Sequence, residues 1–420
     1  MFYLMCKDDI RATFELRRGV TVQVVDLNIL GNLPIGCTEK NFRKWLDTRH
    51  ASKHRAHLQK FLHQIGCRDL LGFLELTHGI SINDCYWIKR ETEDLLWKDV
   101  SPYINDFDEI IQRLSFDGRG LYGEKLSSTS PEFGTSGTFD KCWCREENGI
   151  YLYKRGSDIG SNSGLEPYCE VLASQVFSRM RVGIKYELVN FRSKVASKCK
   201  LFNNEYMSFV PYSALSSDFD FYDIIGFYES ISNGTGFKRM LVCDAIVLNT
   251  DRHAGNHGVL VSNETNKIKS MAPSFDYNLA MLPYVTRSDF SNIAEQIVKH
   301  TPKTSDDFIT AAKYCLTSSI RNDLLELRGI TLSLPFTDDK FPQERVDWMT
   351  DIVNHQIDNV LYDRTPVYPT IKVDGLSNTY RYKLKYKLSD DEFVKEVPRL
   401  MKLFGISHMN ELEERIADLL

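Results

Sequence analysis

The chain has 420 residues, 42% of them apolar and 26% charged. That balance excludes a small disulfide-stapled scaffold and a disordered or fibrous chain, and it leaves length for two or three domains. With 52 Lys and Arg against 57 Asp and Glu the formal charge is −5, so any contact with nucleic acid or anionic membrane must come from a local patch.

None of the 10 cysteines belongs to a C-x-x-C pair, so buried free thiols of a reducing cytosol are expected rather than zinc or redox motifs. The start carries no basic segment ahead of an apolar run, and no apolar stretch reaches about 18 residues. A cytoplasmic protein without membrane contact is expected, with leaderless secretion into a host cell as an effector the alternative.

Residues 1–126 read as an N-terminal accessory subdomain, in which short β-rich runs such as 20–25 lead into helical periodicity from 41 to about 74. Residues 40–60 form the one basic cluster, with Lys40, Arg43, Lys44, Arg49, Lys53, Arg55 and Lys60 against Asp47. A solvated helix face is expected there, and a weak nucleic-acid contact is the alternative. His50, His54 and His57 share a helical face, but the flanking cations disfavour a metal. Residues 118–123 spell G-x-G-x-x-G, yet a helical pattern at 106–114 precedes them and a Ser-rich loop follows. That is not the strand-then-helix setting of a dinucleotide fingerprint, nor does Lys then Ser or Thr complete a P-loop.

Residues 127–211 read as a small α+β lobe: a Gly-containing loop at 130–141, a strand at 150–154, a helix at 168–180, and strands at 186–189 and 198–202. Cys142 and Cys144 lie two apart in a strand-like run, where both point to one face. From 212 to 420 helical periodicity dominates, at 237–248, 306–316 and 346–361, with a short β-like interruption at 258–261. The fold class expected is α+β, a bilobal fold with a small β-rich lobe followed by a mostly helical one.

The chemistry concentrates in Asp251-Arg252-His253-Ala254-Gly255-Asn256, which follows an apolar helix and runs into a strand, and in Ser274-Phe275-Asp276-Tyr277. Phosphoryl transfer needs an acceptor for the substrate hydroxyl proton, oxygen ligands for Mg²⁺, and a cation on the nucleotide phosphates. Asp251 suits the first role, Asn256 and Asp276 the second, and Lys154, in mid-strand, the third. Asp251 and Asn256 have the Asp-to-Asn spacing of a protein-kinase catalytic loop. Glu170, in the following helix, is the candidate partner of Lys154. Glu166 competes, but it precedes Pro167 and is expected ahead of the helix. Gly134, Ser136 and Gly137 form a loop whose backbone N–H groups can approach phosphates. The bland alternatives are an Asx-rich turn for Asp251 and Asn256, a simple turn at the glycines, a solvated surface residue for Glu170, and loop-stabilising roles for His253 and His257.

The form D-R-H-x-x-N, with Lys154, Glu170 and Asp276 in this order around it, resembles HipA-like serine/threonine kinases, which share that loop with phosphatidylinositol kinases. The resemblance spans about residues 130–280. It implies a divergent kinase fold using ATP and Mg²⁺, with Asp251 as base, Asn256 and Asp276 as metal ligands, and Lys154 on the phosphates. It places a hinge near adenine at 199–202, which includes Lys200 and Phe202. It further implies a protein Ser/Thr acceptor, a toxin-like role with an antitoxin-like partner, and autophosphorylation of a loop residue, for which Ser130, Thr135, Ser136 and Ser128 are candidates. Two departures stand out: Gly134-Thr135-Ser136-Gly137 replaces the A-G-x-x-x-K loop of better-known HipA kinases, and the first 125 residues match no named N-terminal subdomain. A phosphatidylinositol or small-molecule kinase, or a pseudokinase acting as a binding module, are the rival readings.

Overall fold

The computed structural model describes residues 1–18, 22–49, 69–117, 130–135, 139–158 and 163–420. They group into two units, Met1–Pro283 with Thr301–Arg364, and Tyr284–His300 with Thr365–Leu420.

The first unit opens with an antiparallel sheet of β1 (Phe2–Cys6), β2 (Asp9–Arg17), β3 (Gln23–Ile29) and β4 (Tyr86–Arg90), in the order β3-β2-β1-β4. Its buried face closes on helices Phe42–Asp47 and Leu70–Thr77, where the Phe2 ring stacks on Phe14 at a centroid distance of 5.7 Å and Phe14 meets Phe42 edge-on at 5.2 Å. Part of the basic cluster is used inside this fold. Arg49 is buried and donates from both terminal nitrogens to Asp84 at 2.6 and 2.8 Å, and Arg43 donates to the Val22 carbonyl. Residues 50–60, with the three histidines, and the 118–123 glycine run lie outside the described residues.

The second sheet carries the sequence motifs. β5 (Lys141–Glu146), β6 (Gly149–Arg155), β7 (Tyr186–Phe191) and β8 (Lys194–Lys200) pair in the order β5-β6-β8-β7, all antiparallel. The register sets Lys141 opposite Lys154 and Lys154 opposite Ser197. All three therefore share one face, because side chains alternate along a strand. Cys142 and Cys144 share the other, with their sulfurs 4.0 Å apart, and the nine cysteines among the described residues are free. The helix between β6 and β7 runs Glu166–Arg179. Glu166 is thus inside it rather than ahead of it. Pro167 is tolerated in the first turn, where backbone N–H groups lack intrahelical acceptors, and the Glu166 carboxylate accepts the Ser157 N–H at 3.2 Å.

The interruption at 258–261 proves to be the central strand of a third sheet. β9 (Met207–Pro211), β10 (Gly258–Ser262) and β11 (Ile268–Met271) run antiparallel in the order β11-β10-β9. Gly258 is required there, since a Cβ would lie 2.2 Å from the Val210 carbonyl oxygen. Helices Phe221–Ser230, Gly234–Val247, Phe308–Cys315, Ser318–Leu327 and Gln343–Leu361 supply the rest of the core, and Gln356 donates to the Ala245 carbonyl at 3.1 Å.

The second unit is helical. Asn378–Tyr386, Asp390–Phe404 and Met409–Arg415 bury Tyr382, Leu400 and Leu412 together with Ile416. Ser389 and Glu392 cap the middle helix reciprocally. Among the described residues no helix is long and apolar enough to cross a membrane.

Candidate active site

The core of the site is a buried ammonium between two carboxylates. Lys154, 4% exposed, leaves the inner face of β6, and its Nζ donates to Glu170 Oε1 and Asp276 Oδ1, both at 2.6 Å. Glu170 is fully buried one turn into its helix. It is held there by the Ser197 hydroxyl at 2.5 Å on Oε2 and by the Tyr277 N–H at 3.1 Å on Oε1. These bonds satisfy a charge that would otherwise be costly to bury. Asp276 sits at a φ of +61°, in the left-handed region, and its N–H donates to the Tyr186 hydroxyl at 3.2 Å. Burial works to raise the Asp276 carboxyl, but Lys154, with Lys141 and Arg252 behind it, outweighs this and holds it at about 2. Burial likewise works to lower the Lys154 ammonium, and Asp276 and Glu170 raise it above its ordinary value. Both groups are charged throughout the neutral range.

The Asp251 turn is built by local hydrogen bonding. The Gly234–Val247 helix ends at Leu248, whose φ is +55°, and the buried Asn249 then donates to Asp244 Oδ1 at 2.7 Å and accepts the Asp251 N–H at 3.2 Å. The Asn256 amide nitrogen donates to the Asp251 carbonyl at 2.9 Å. Its amide oxygen has no partner among the described residues, and neither has the second carboxylate oxygen of Asp276. Asp251 Oδ1 pairs with Lys303, and its other oxygen has no partner among the described residues.

Arg252 ties the two loops together. It is completely buried, paired with Asp244 through Nε at 2.9 Å and Nη2 at 3.0 Å, and its Nη1 donates to the carbonyls of Asn256 at 2.7 Å and Phe275 at 2.8 Å. One guanidinium thus fixes the backbone beside both Asn256 and Asp276. His253 accepts the Gly255 N–H at 3.0 Å, while the buried His257 shares a hydrogen bond with the Tyr228 hydroxyl at 2.9 Å. Both imidazoles are engaged in turn and core contacts.

The remaining candidates are placed less centrally. Phe202 packs its ring 5.3 Å from that of Phe275, next to Asp276. Lys200 lies opposite Tyr151, on the sheet face away from Lys154, with an exposed side chain that covers Gly149. Gly134 closes the short turn Pro131–Gly134, whereas Ser136 and Gly137 lie outside the described residues, as does Ser128. Ser130 is buried and donates to Glu132 at 2.5 Å, and the Thr135 hydroxyl accepts the Trp143 indole N–H at 2.9 Å. Sequence reading missed four participants: Arg252 as a tether, Lys141 beside Lys154, Ser197 on Glu170, and Lys303 on Asp251. Arg252 and Lys141 stood inside quoted motifs. For Ser197 and Lys303 no local signal exists, because strand pairing and a distant loop deliver them.

The sheet order, the helix between β6 and β7, and the two loops joined by Arg252 together make a mixed α+β fold of the protein-kinase-like class. Its particular form is that of HipA: the structure of HipA from Shewanella oneidensis MR-1, a toxin–antitoxin protein solved with HipB and its operator DNA, aligns with 87% of this chain and 100% of its own at 10% identity and a TM-score of 0.51. A Helicobacter pylori proinflammatory kinase, CtkA, aligns over 53% of this chain and 92% of its own at 15% identity and a TM-score of 0.41. No protein-family profile and no curated protein sequence matches the chain.

Proposed function

We propose that this chain is an ATP- and Mg²⁺-dependent kinase that phosphorylates a serine or threonine hydroxyl of a protein. The observation that carries the reading is Lys154, buried and shared between a helix carboxylate and a loop carboxylate, with Arg252 tying that loop to the Asp251 turn. In this reading the three-part division holds, 127–211 contributing Lys154 and Glu170 and 212–420 contributing Asp251, Asn256 and Asp276, with 1–126 accessory.

Lys154, kept aimed by Glu170, would receive the nucleotide phosphates in place of Asp276. Asp251 accepts the proton of the attacking hydroxyl through its Oδ2. Asn256 and Asp276 suit Mg²⁺ because each has a hard oxygen without a partner among the described residues, Asn256 by turning its nitrogen onto the Asp251 carbonyl. Bound Mg²⁺ supplies charge neutralisation for the phosphates. Phe202, beside Phe275, and the backbone at Lys200 would hold adenine, and Gly134, Ser136 and Gly137 of the 130–141 loop would hold the phosphates. The HipA likeness supports an antitoxin-like partner and a toxin-like role. Autophosphorylation of the loop, in this reading, requires Ser130 to leave Glu132 first.

The test is incubation of the full chain with γ-labelled ATP and Mg²⁺, with Asp251→Ala alongside. Label on protein should fall by about 10²–10⁴-fold in the variant, while ATP binding by calorimetry is kept. Undiminished labelling in Asp251→Ala would reject the base assignment, and no ATP binding by the wild type would reject the kinase reading.

A further inference from the structure

A cavity of about 690 Å³ is lined by the helix that carries Glu170 and by β7. Its floor is Val171, Ser174 and Gln175 of the Glu166–Arg179 helix. One wall is residues 185–189, and the other is part of the 330–335 segment. Five residues in a row line the first wall, yet side chains of a strand alternate between faces, so it is the edge of β7 that borders the groove. β7 is the last strand of its sheet and pairs with β8 alone. Half of its peptide groups therefore face away from β8, and among the described residues no backbone hydrogen bond reaches 187–191 from that side.

The opposite wall is pinned open. The Gln175 side chain donates to the Ser333 carbonyl at 2.7 Å and accepts the Ser333 N–H at 3.2 Å, which holds the 330–335 segment on the helix and off β7. Apolar side chains line it on three sides, Val171 on the floor, Leu188 on the β7 wall, and Ile330 and Leu334 opposite. At the rim, Lys185 lies 3.7 Å from Glu187, while the exposed Arg179 forms no ion pair with a described residue. Unpaired strand backbone, an apolar lining and a guanidinium without an ion pair among the described residues together define one kind of occupant.

We propose that this groove docks an extended segment of a partner protein as a fifth strand beside β7, with an apolar side chain over Val171 and Leu188 and a carboxylate on Arg179. Main-chain bonds to β7 supply affinity, and the alternate side chains supply specificity. The position matters because Tyr186, in the β7 wall, accepts the Asp276 N–H, and the floor helix carries Glu170. The docking site itself does not depend on phosphoryl transfer, so it can fail or hold independently of the kinase reading.

The test uses the full chain without nucleotide and a blocked synthetic heptapeptide whose valines and one glutamate share a face of the extended chain, with threonine between them, read by hydrogen–deuterium exchange. Exchange in 187–191 should slow on titration. Arg179→Glu should weaken peptide binding about tenfold, the scale of one charge-assisted hydrogen bond, and Ser178→Trp, which fills the floor from an exposed position, should abolish it. The same peptide with lysine in place of glutamate should bind more weakly to the wild type. No slowing in 187–191 at any peptide concentration would overturn the proposal. Equal binding by both surface variants, whose unchanged exchange elsewhere verifies their fold, would do the same.

Discussion

At the residue scale the energetics turn on buried charge that is fully hydrogen bonded. Arg252 illustrates this: removing it would strand Asp244, and breaking such a pair costs about 3–5 kcal/mol. His257 is the contrasting case, an imidazole kept neutral. Burial, reinforced by Arg252 and His253, pushes it from its ordinary 6.5 down to about 3. Between those values the unfolded chain binds a proton that the folded chain refuses, so stability must fall as pH falls from 6.5 toward 3, by up to about 1.4 kcal/mol per pH unit. Urea unfolding at pH 7 and pH 5 should show that loss in the wild type and a smaller one in His257→Gln. Equal losses would mean that other groups set the acid limb.

At the element scale the site depends on close strand contact as much as on the motif residues. β10 leads directly out of the Asp251–Asn256 turn, and the Tyr212 and Ser213 N–H groups, just past β9, donate to the carbonyls of His257 and Ala254, both at 2.9 Å. Gly258 makes that approach feasible. Gly258→Ala forces its Cβ against the Val210 carbonyl and should cost about 1–3 kcal/mol, the range of overpacking in a tight interior. Thermal unfolding would measure it, and an unchanged midpoint would show that β9 and β10 can part without cost. The β5–β6–β8 register works in the same way: it sets Lys141, Lys154 and Ser197 in one row, and a shift of one residue would turn all three to the wrong face.

At the scale of the whole molecule, the segments flanking β4 of the accessory unit are bonded to β9 and to the connector between β8 and β9. Asn203 donates to the Ile82 carbonyl at 2.8 Å, Trp97 donates to Glu205 at 2.7 Å, and the Phe209 N–H donates to the Asn83 carbonyl at 2.7 Å. These are long-range contacts that no local pattern announces. Ligand linkage is read globally as well. With ATP at about 100 times its dissociation constant the fold should gain about 2.7 kcal/mol. In Asp276→Asn the part of that gain that depends on Mg²⁺ should vanish, whereas a melting shift equal to wild type with Mg²⁺ present would reject Asp276 as a metal ligand.

What the sequence by itself determined is the mixed α+β class, the strand carrying Lys154, the helix carrying Glu170 and the paired polar turns at Asp251 and Asp276. Periodicity, turn chemistry and motif order are local properties, and local properties survive in one dimension. The tertiary structure alone decided that 258–261 is a central strand, because a glycine packed against a neighbouring carbonyl looks like any other glycine until the neighbour is known. It also decided that Glu166 starts its helix, that Arg43 and Arg49 serve the fold rather than a basic face, and that Arg252, Ser197 and Lys303 reach the motif residues. Pairing across a sheet and burial of charge depend on groups distant in the chain, and the order of residues does not encode those distances in any pattern that reading along it can detect.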